Sequence, residues 1–279
     1  MRTARMYMVI SRLVAAALCI ATAEIGAAAA QTESTFDKIK RTGTFLAGVR
    51  YDLPPLGSVD TAGNPVGFSV DLSNLIAQRM GVKVQFVQIT SQTRMPLLQS
   101  GRIDADVGPA TPSKQREEVV DFTIPYVWDG VTIVIAKGAS TNIRDYGPPR
   151  KLSTTQGNFV LELMKAEVPN GEYVLFQEHT DAILALLNRK VDGVGMNRFN
   201  GEAFVKRHPQ QLALADDFFV DPWAIMVRQN DSKWRNFLNW TLQELWQEGT
   251  YQVIYAKHFG APPRFHMWSE FRLQPGIGR

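Results

Sequence analysis

Apolar runs of period two alternate with apolar stripes of helical spacing along this chain, and that alternation restricts the fold more than any single residue does. The stretch "TFLAGVR" (44–50) has the character of a strand, and "FSVDLSNLIAQRMG" (68–81) that of a helix. Val70, Leu72, Leu75, Ile76 and Met80 form the apolar stripe of that helix, Asp71 lies in its first turn and Gly81 stops it. A strand over 82–89, a short helix from Arg94 and a strand over 102–108 continue the series. Strand–helix–strand repetition of this kind builds parallel βαβ units, so the fold class is α/β.

The series is interrupted by two extended runs, "VTIVIAKG" (131–138) and "PWAIMVR" (222–228), with a second α/β set between them. That set comprises "KLSTTQG", a helix near 158–166, "EYVLFQ", the helix "TDAILALLNRK", the strand "VDGVGM", a helix near 199–207 and "LALADD". The pattern predicts two lobes joined by a two-strand hinge, the first discontinuous (31–127 and 224–279) and the second inserted (128–223). Ligands then bind between the lobes, at the carboxyl ends of the strands. Long amphipathic helices follow the second run, and their Trp, Leu and Phe residues are expected in the core. The tail 261–279 is rich in Pro, Arg and aromatic residues and has no assigned place.

The first thirty residues do not belong to this pattern. Arg2, Arg5 and Arg12 precede the apolar run Leu13 to Ile20, and small residues lead to Ala28-Ala29-Ala30. This is the layout of a secretory signal peptide cleaved before Gln31. Without Arg2, Arg5, Arg12 and Glu24 the balance becomes 27 basic against 26 acidic residues, so the pI near 9.0 is partly a leader effect. A nucleic-acid partner is not supported. Cys19, the single cysteine, lies in the leader, so the mature chain has no thiol nucleophile or thiolate metal site. No metal spacing, phosphate loop or nucleophile–base pair is present. No cofactor is expected, and no segment after the leader is a membrane-span candidate.

One turn is built for an anion. In "GPATPSKQR" (108–116), Pro109 and Pro112 prevent a continuous helix, while Thr111 and Ser113 can cap the next helix start and Arg116 lies in its first turn or two. Hydroxyls, free N–H groups and a guanidinium at one helix start suit a carboxylate or phosphate.

Five segments then carry a family likeness: "GVRYDLPPLG", "GNPVGFSVDL", "RMPLLQSGRIDA", the run from Arg116 through Val120-Asp121-Phe122 to Pro125-Tyr126, and "EGTYQVIYAKHFG". In this order they resemble the periplasmic solute-binding proteins of polar amino acid ABC transporters, over roughly residues 36–260. "SQTRMPLLQSG" and "GPATPSKQR" are most similar to the glutamate/aspartate-binding branch. The resemblance implies a periplasmic, monomeric protein that closes its lobes on an amino acid and delivers it to a membrane permease, without chemistry.

The resemblance also implies site residues. Arg50 ends the first strand, Arg94 begins the helix after the second and Arg116 follows the third, so all three can reach one cleft. By the resemblance, Arg50 and Arg94 hold a ligand's distal carboxylate and Arg116 its α-carboxylate. A planar guanidinium suits this role because it meets a carboxylate through two parallel hydrogen bonds. Ser91 and Thr111 match hydroxyl contacts of that branch, and His179 matches a cleft histidine. Thr155 and Gln156 lie in the loop that meets the carboxylate.

Two departures bear on the ligand. Asn197 stands where most of the family carries the Asp that holds the ligand's ammonium, and Leu53 and Leu56 replace common aromatic residues. Either Asp52, Asp181 or Asp217 supplies the missing charge, or the ligand is an amine-free dicarboxylate. A third possibility is a cyclohexadienyl-dehydratase-like enzyme on the same fold, with His179 or a cleft Asp as acid or base.

Overall fold

The computed structural model describes residues 33–263. The expected signal peptide, and the tail from Arg264 onward, lie outside the described residues. The first wing of the sheet is built from α1 (Thr35–Thr42), β1 (Thr44–Val49), α2 (Phe68–Met80), β4 (Lys83–Gln88), α3 (Arg94–Gln99) and β5 (Ala105–Ala110). A short hairpin, β2 (Ser58–Val59) with β3 (Pro65–Val66), stands between β1 and α2. α2 ends as the sequence predicts, with Gly81 at φ 65, a left-handed conformation open to glycine at little cost.

β4, β1 and β5 run parallel, with Thr44 opposite Lys83 and Ala47 opposite Ala105. Their carboxyl ends therefore lie along one edge, which is where Arg50, Arg94 and Thr111 follow. After β5 come α4 (Lys114–Glu117) and β6 (Val120–Phe122). α4 is a single turn with Ser113 as its cap, whose Oγ accepts the Arg116 N–H at 3.3 Å.

The second wing contains β7 (Val127–Ala136), β8 (Lys151–Thr155), α5 (Val160–Glu167), β9 (Glu172–Phe176), α6 (His179–Leu187), β10 (Gly193–Asn197), α7 (Arg198–Arg207) and β11 (Leu212–Leu214). β9, β8 and β10 are parallel, and β10 pairs antiparallel with β7. β12 (Phe219–Arg228) then returns to the first wing, followed by α8 (Ser232–Gln247) and α9 (Thr250–Phe259).

The wings are joined by β7 and β12, each ten residues long. The two strands pair antiparallel from Val127 opposite Trp223 to Val131 opposite Phe219. Beyond this stretch β12 pairs with β5 and β6, and β7 with β10 and β11. The hinge strands thus begin earlier than the apolar runs suggest, at Val127 and Phe219 rather than 131 and 222. Trp128, Asp129, Gly130 and Asp221 interrupt the apolar pattern there without ending the ladder.

Each wing has its own core. In the first, Phe68 stacks on Tyr126 at 6.1 Å and meets Tyr251 edge-on, while Phe45 packs against Trp234, whose indole donates to the Asp104 carbonyl at 2.9 Å. The tryptophans and leucines of α8 are largely core, as expected, although Trp240 is exposed. In the second, Ile133, Leu152, Val160 and Met164 fill one face of the sheet, and Val134, Ala182, Leu186 and Val194 the other. Burial on both faces accounts for the apolar run of β7 from Val131 to Ile135, which is broken only by Thr132, whose hydroxyl donates to the Ala215 carbonyl at 2.9 Å.

A tight loop after β1 orients the residues that follow it. Leu53 and Gly57 exchange two backbone hydrogen bonds, of 2.9 and 2.8 Å. A Cβ on Gly57 would come 2.0 Å from the Arg50 carbonyl oxygen, far inside contact distance. Gly57→Ala should therefore lower stability by about 2 kcal/mol by forcing backbone apart; a denaturant midpoint equal to that of the wild type would refute this.

Candidate functional site

Parallel strands deliver the expected arginines to one place. Arg50, Arg94 and Arg116 are all buried, at 2%, 3% and 9% exposure, so none is a solvated surface charge. A guanidinium in such a place requires fixed partners. The partners differ among the three.

Arg50 is held by its own loop. Its Nε donates to Asp52 Oδ1 at 2.7 Å, one terminal nitrogen to Asp52 Oδ2 at 2.6 Å and the other to Ser91 Oγ at 2.8 Å. Asp52 Oδ2 also accepts the backbone N–H of His179 at 3.0 Å, and His179 Nδ1 lies 3.5 Å from it. Burial opposes the Asp52 charge, but the His179 hydrogen bond and the Arg50 guanidinium prevail and hold its carboxyl far below the ordinary range. Burial pushes the His179 imidazole down, and Asp52 only partly offsets this. Its Nε2 lies 3.4 Å from the Asn158 amide.

Arg94 opens α3. It donates to the Pro109 carbonyl at 2.9 Å and stands 3.6 Å from Asp106 Oδ2, while its Nε is buried without a partner. Asp106 accepts the Gly108 N–H on its other oxygen, and burial raises its pKa despite Arg94.

Arg116 donates to two carbonyl oxygens, of Thr111 at 3.0 Å and of Gly157 in the second wing at 3.3 Å, and lies 5.5 Å over the Phe159 ring. Burial and the charge of Arg94 pull it down to about 9, which leaves it charged at neutral pH. Among the described residues, no carboxylate forms an ion pair with it.

A carboxylate in complementary condition faces the same region. Asp221, on hinge strand β12, is 1% exposed. Its Oδ2 accepts from Asn197 Nδ2 at 2.6 Å and from the Trp223 indole at 3.0 Å, and its Oδ1 is buried without a hydrogen bond. Burial raises its pKa, opposed by Asn197, Thr111, Trp223 and the Arg116 charge. Arg116, Arg94 and Asp221 thus act on one another electrostatically.

Asn197 ends β10 next to this carboxylate and supplies a hydrogen bond where a charge was expected. Of the aspartates considered for that charge, Asp181 is exposed on α6, Asp217 is ion-paired with Arg198 at 2.7 Å, and Asp52 is engaged by Arg50. Asp221 was not among them. Its signal in the sequence is a carboxylate inside a strand that is otherwise mostly apolar. Ser91 and Thr155 meet across the wings at 3.2 Å, whereas the Gln156 side chain is turned to Gln177. No group of His, Cys, Asp and Glu able to hold a metal occurs among the described residues.

Comparison with known proteins agrees with this architecture. Residues 45–261 match the bacterial extracellular solute-binding proteins, family 3. The ABC transporter glutamine-binding protein GlnH of Bacillus subtilis is 25% identical over 236 residues, covering 83% of this chain and 86% of that one. The L-glutamate/L-aspartate-binding protein of Pseudomonas aeruginosa is 26% identical over 249 residues, covering 82% and 80%. An ancestral arginine-binding protein bound to glutamine superposes with a TM-score of 0.75 at 32% identity, over 78% of this chain and 98% of that one. The ancestral amino acid-binding protein AncCDT-1, a precursor of cyclohexadienyl dehydratase, superposes at 0.76 with 27% identity, over 81% and 100%.

The hinge also carries a pH effect. Asp129 is the register partner of Asp221, and burial raises it to about 8 although the Phe199 and Gly130 N–H groups oppose the shift. The folded chain keeps this proton while the unfolded chain, with an ordinary carboxyl pKa near ~4, has released it. The contribution of Asp129 to stability therefore falls as pH rises from about 4 to about 8 and is level above that. Asp129→Asn should remove this slope in thermal unfolding from pH 5 to 9; parallel wild-type and variant curves would contradict it.

Proposed function

Because the chain belongs to the bacterial extracellular solute-binding proteins, family 3, we propose that it captures an acidic α-amino acid in the periplasm and hands it, as a monomer, to the permease of an ABC importer. The observation that supports this most is the pair Arg116 and Asp221, a guanidinium without a carboxylate ion pair among the described residues and a carboxylate with a bare oxygen. A zwitterion satisfies both: its α-carboxylate pairs with Arg116 and its ammonium with Asp221. An amine-free diacid would satisfy only the first.

The acidic side chain follows from the charge balance. Arg50 is matched by Asp52, whereas Arg94 keeps a buried Nε without a partner and Arg116 has no carboxylate ion pair among the described residues, so two guanidinium groups stand against the Asp221 carboxylate at the ligand. A site that leans positive favours a ligand of net negative charge. Arg94, with its unpartnered Nε, receives the side-chain carboxylate. The wings move about β7 and β12 to release the ligand, and no bond is made or broken. Absence of turnover with prephenate and arogenate separates this from the dehydratase alternative.

Thermal stabilisation by glutamate, aspartate, glutamine, succinate and 2-oxoglutarate tests the assignment. Aspartate or glutamate should stabilise, by about 2.7 kcal/mol at a hundredfold excess over the dissociation constant. Stabilisation by the amine-free diacids alone would overturn the role of Asp221. Arg116→Ala should cost about 2–5 kcal/mol of binding for every carboxylate ligand. Arg94→Ala should weaken aspartate and glutamate much more than glutamine, and equal losses would remove Arg94 from the side-chain subsite.

A further inference from the structure

Arg50, expected at a ligand's distal carboxylate, already holds a carboxylate from the chain itself. Both oxygens of Asp52 are engaged by the Arg50 fork, the remaining arm of that guanidinium holds Ser91, and His179 presents its backbone N–H and ring to Asp52 Oδ2. All four residues are buried, at 2%, 5%, 6% and 1% exposure for Arg50, Asp52, Ser91 and His179. A carboxylate two positions along the chain thus occupies both arms of the Arg50 fork that face it and takes the N–H at the start of α6.

We propose that Asp52 is a resident carboxylate that fills the Arg50–Ser91–His179 subsite and so sets the side-chain specificity of the protein. This inference deepens the amino-acid reading given above. A tethered carboxylate competes with a free one at a high effective concentration, because the chain has already met the cost of bringing it there. A ligand acid reaching Arg50 would meet Asp52 as a like charge at close range, which disfavours binding. The ligand's side-chain carboxylate is left with Arg94 alone, and the site discriminates against acidic amino acids long enough to need Arg50. Asp52 also lies at the first N–H of the nine-residue helix α6, in the second wing, while its own loop belongs to the first. The same carboxylate therefore ties the wings together, with the helix dipole adding to the attraction.

Chemical rescue tests this directly. Asp52→Ala leaves Arg50 buried without its anion and should melt well below the wild type. Formate or acetate should restore much of the loss, with little effect on the wild type. No recovery beyond that seen for the wild type would overturn the proposal. This assay needs no amino acid, so a chain that binds none would defeat the proposed function and leave this test standing. Asp52→Asn, which keeps the volume and removes the charge, provides the second readout by calorimetry. The affinities of glutamate and 2-aminoadipate relative to aspartate should rise about tenfold or more, and the rise should vanish in the double variant Arg50→Gln/Asp52→Asn. Unchanged ratios, or a gain that survives loss of Arg50, would show that Asp52 does not guard this subsite.

Discussion

A guanidinium does not give up its proton under physiological conditions, so a fold that buries one must surround it with anions and dipoles. This chain buries Arg50, Arg94 and Arg116 along one sheet edge. Asp52 lies between the first and the second wing, Asp106 at the end of β5, and Asp221 on the strand that joins the wings. The carbonyls of Pro109, Thr111 and Gly157 take up much of the remaining donor capacity. Cleft architecture and electrostatics are thus one problem, solved by placing each compensating group at a different distance from neutrality. Arg50 is fully matched, Arg94 faces a reluctant carboxylate, and Arg116 has only dipoles. That gradient separates a structural charge from one available to a visitor.

The parallel frame was legible because its signals are local. The apolar period of "TFLAGVR", the stop at Gly81 and the cap at Ser113 each act within a few residues, and each element formed where its own segment specified. The hinge was legible in outline only. Its strands extend four residues and three residues further toward their amino ends than the apolar runs do, because ladder hydrogen bonds between Asp129 and Asp221 need no apolar side chains. Very short elements such as the β2–β3 hairpin leave too little pattern to read.

Within the candidate site, the structure brings the three arginines of the sequence reading into one region, with pairings that the sequence did not indicate. Arg50 meets Ser91 directly, and it also holds Asp52, which the sequence reading considered only as a source of the missing charge. Asp221 went unseen for a different reason. Its nearness to Asn197 is created by β7 lying between β10 and β12, a long-range arrangement that no local spacing encodes. Asn197, which stands where a charge was expected, donates a hydrogen bond to that carboxylate.

The place of Asp221 in the fold bears on the order of events in the proposed capture. Arg116 and Thr111 belong to the first wing, and Asp221 to the hinge strand that returns to it. In the proposed binding mode the first wing and the hinge can therefore grip both ends of a zwitterion before the rest of the second wing arrives, bringing the Gly157 carbonyl, the Phe159 ring and the Asn197 amide to this end of the cleft. An encounter complex of this kind forms on a half-open surface, where diffusion and long-range attraction govern the association rate. In this scheme the swing of the second wing governs escape, so that residence time and capture rate would be separately adjustable properties of a single chain.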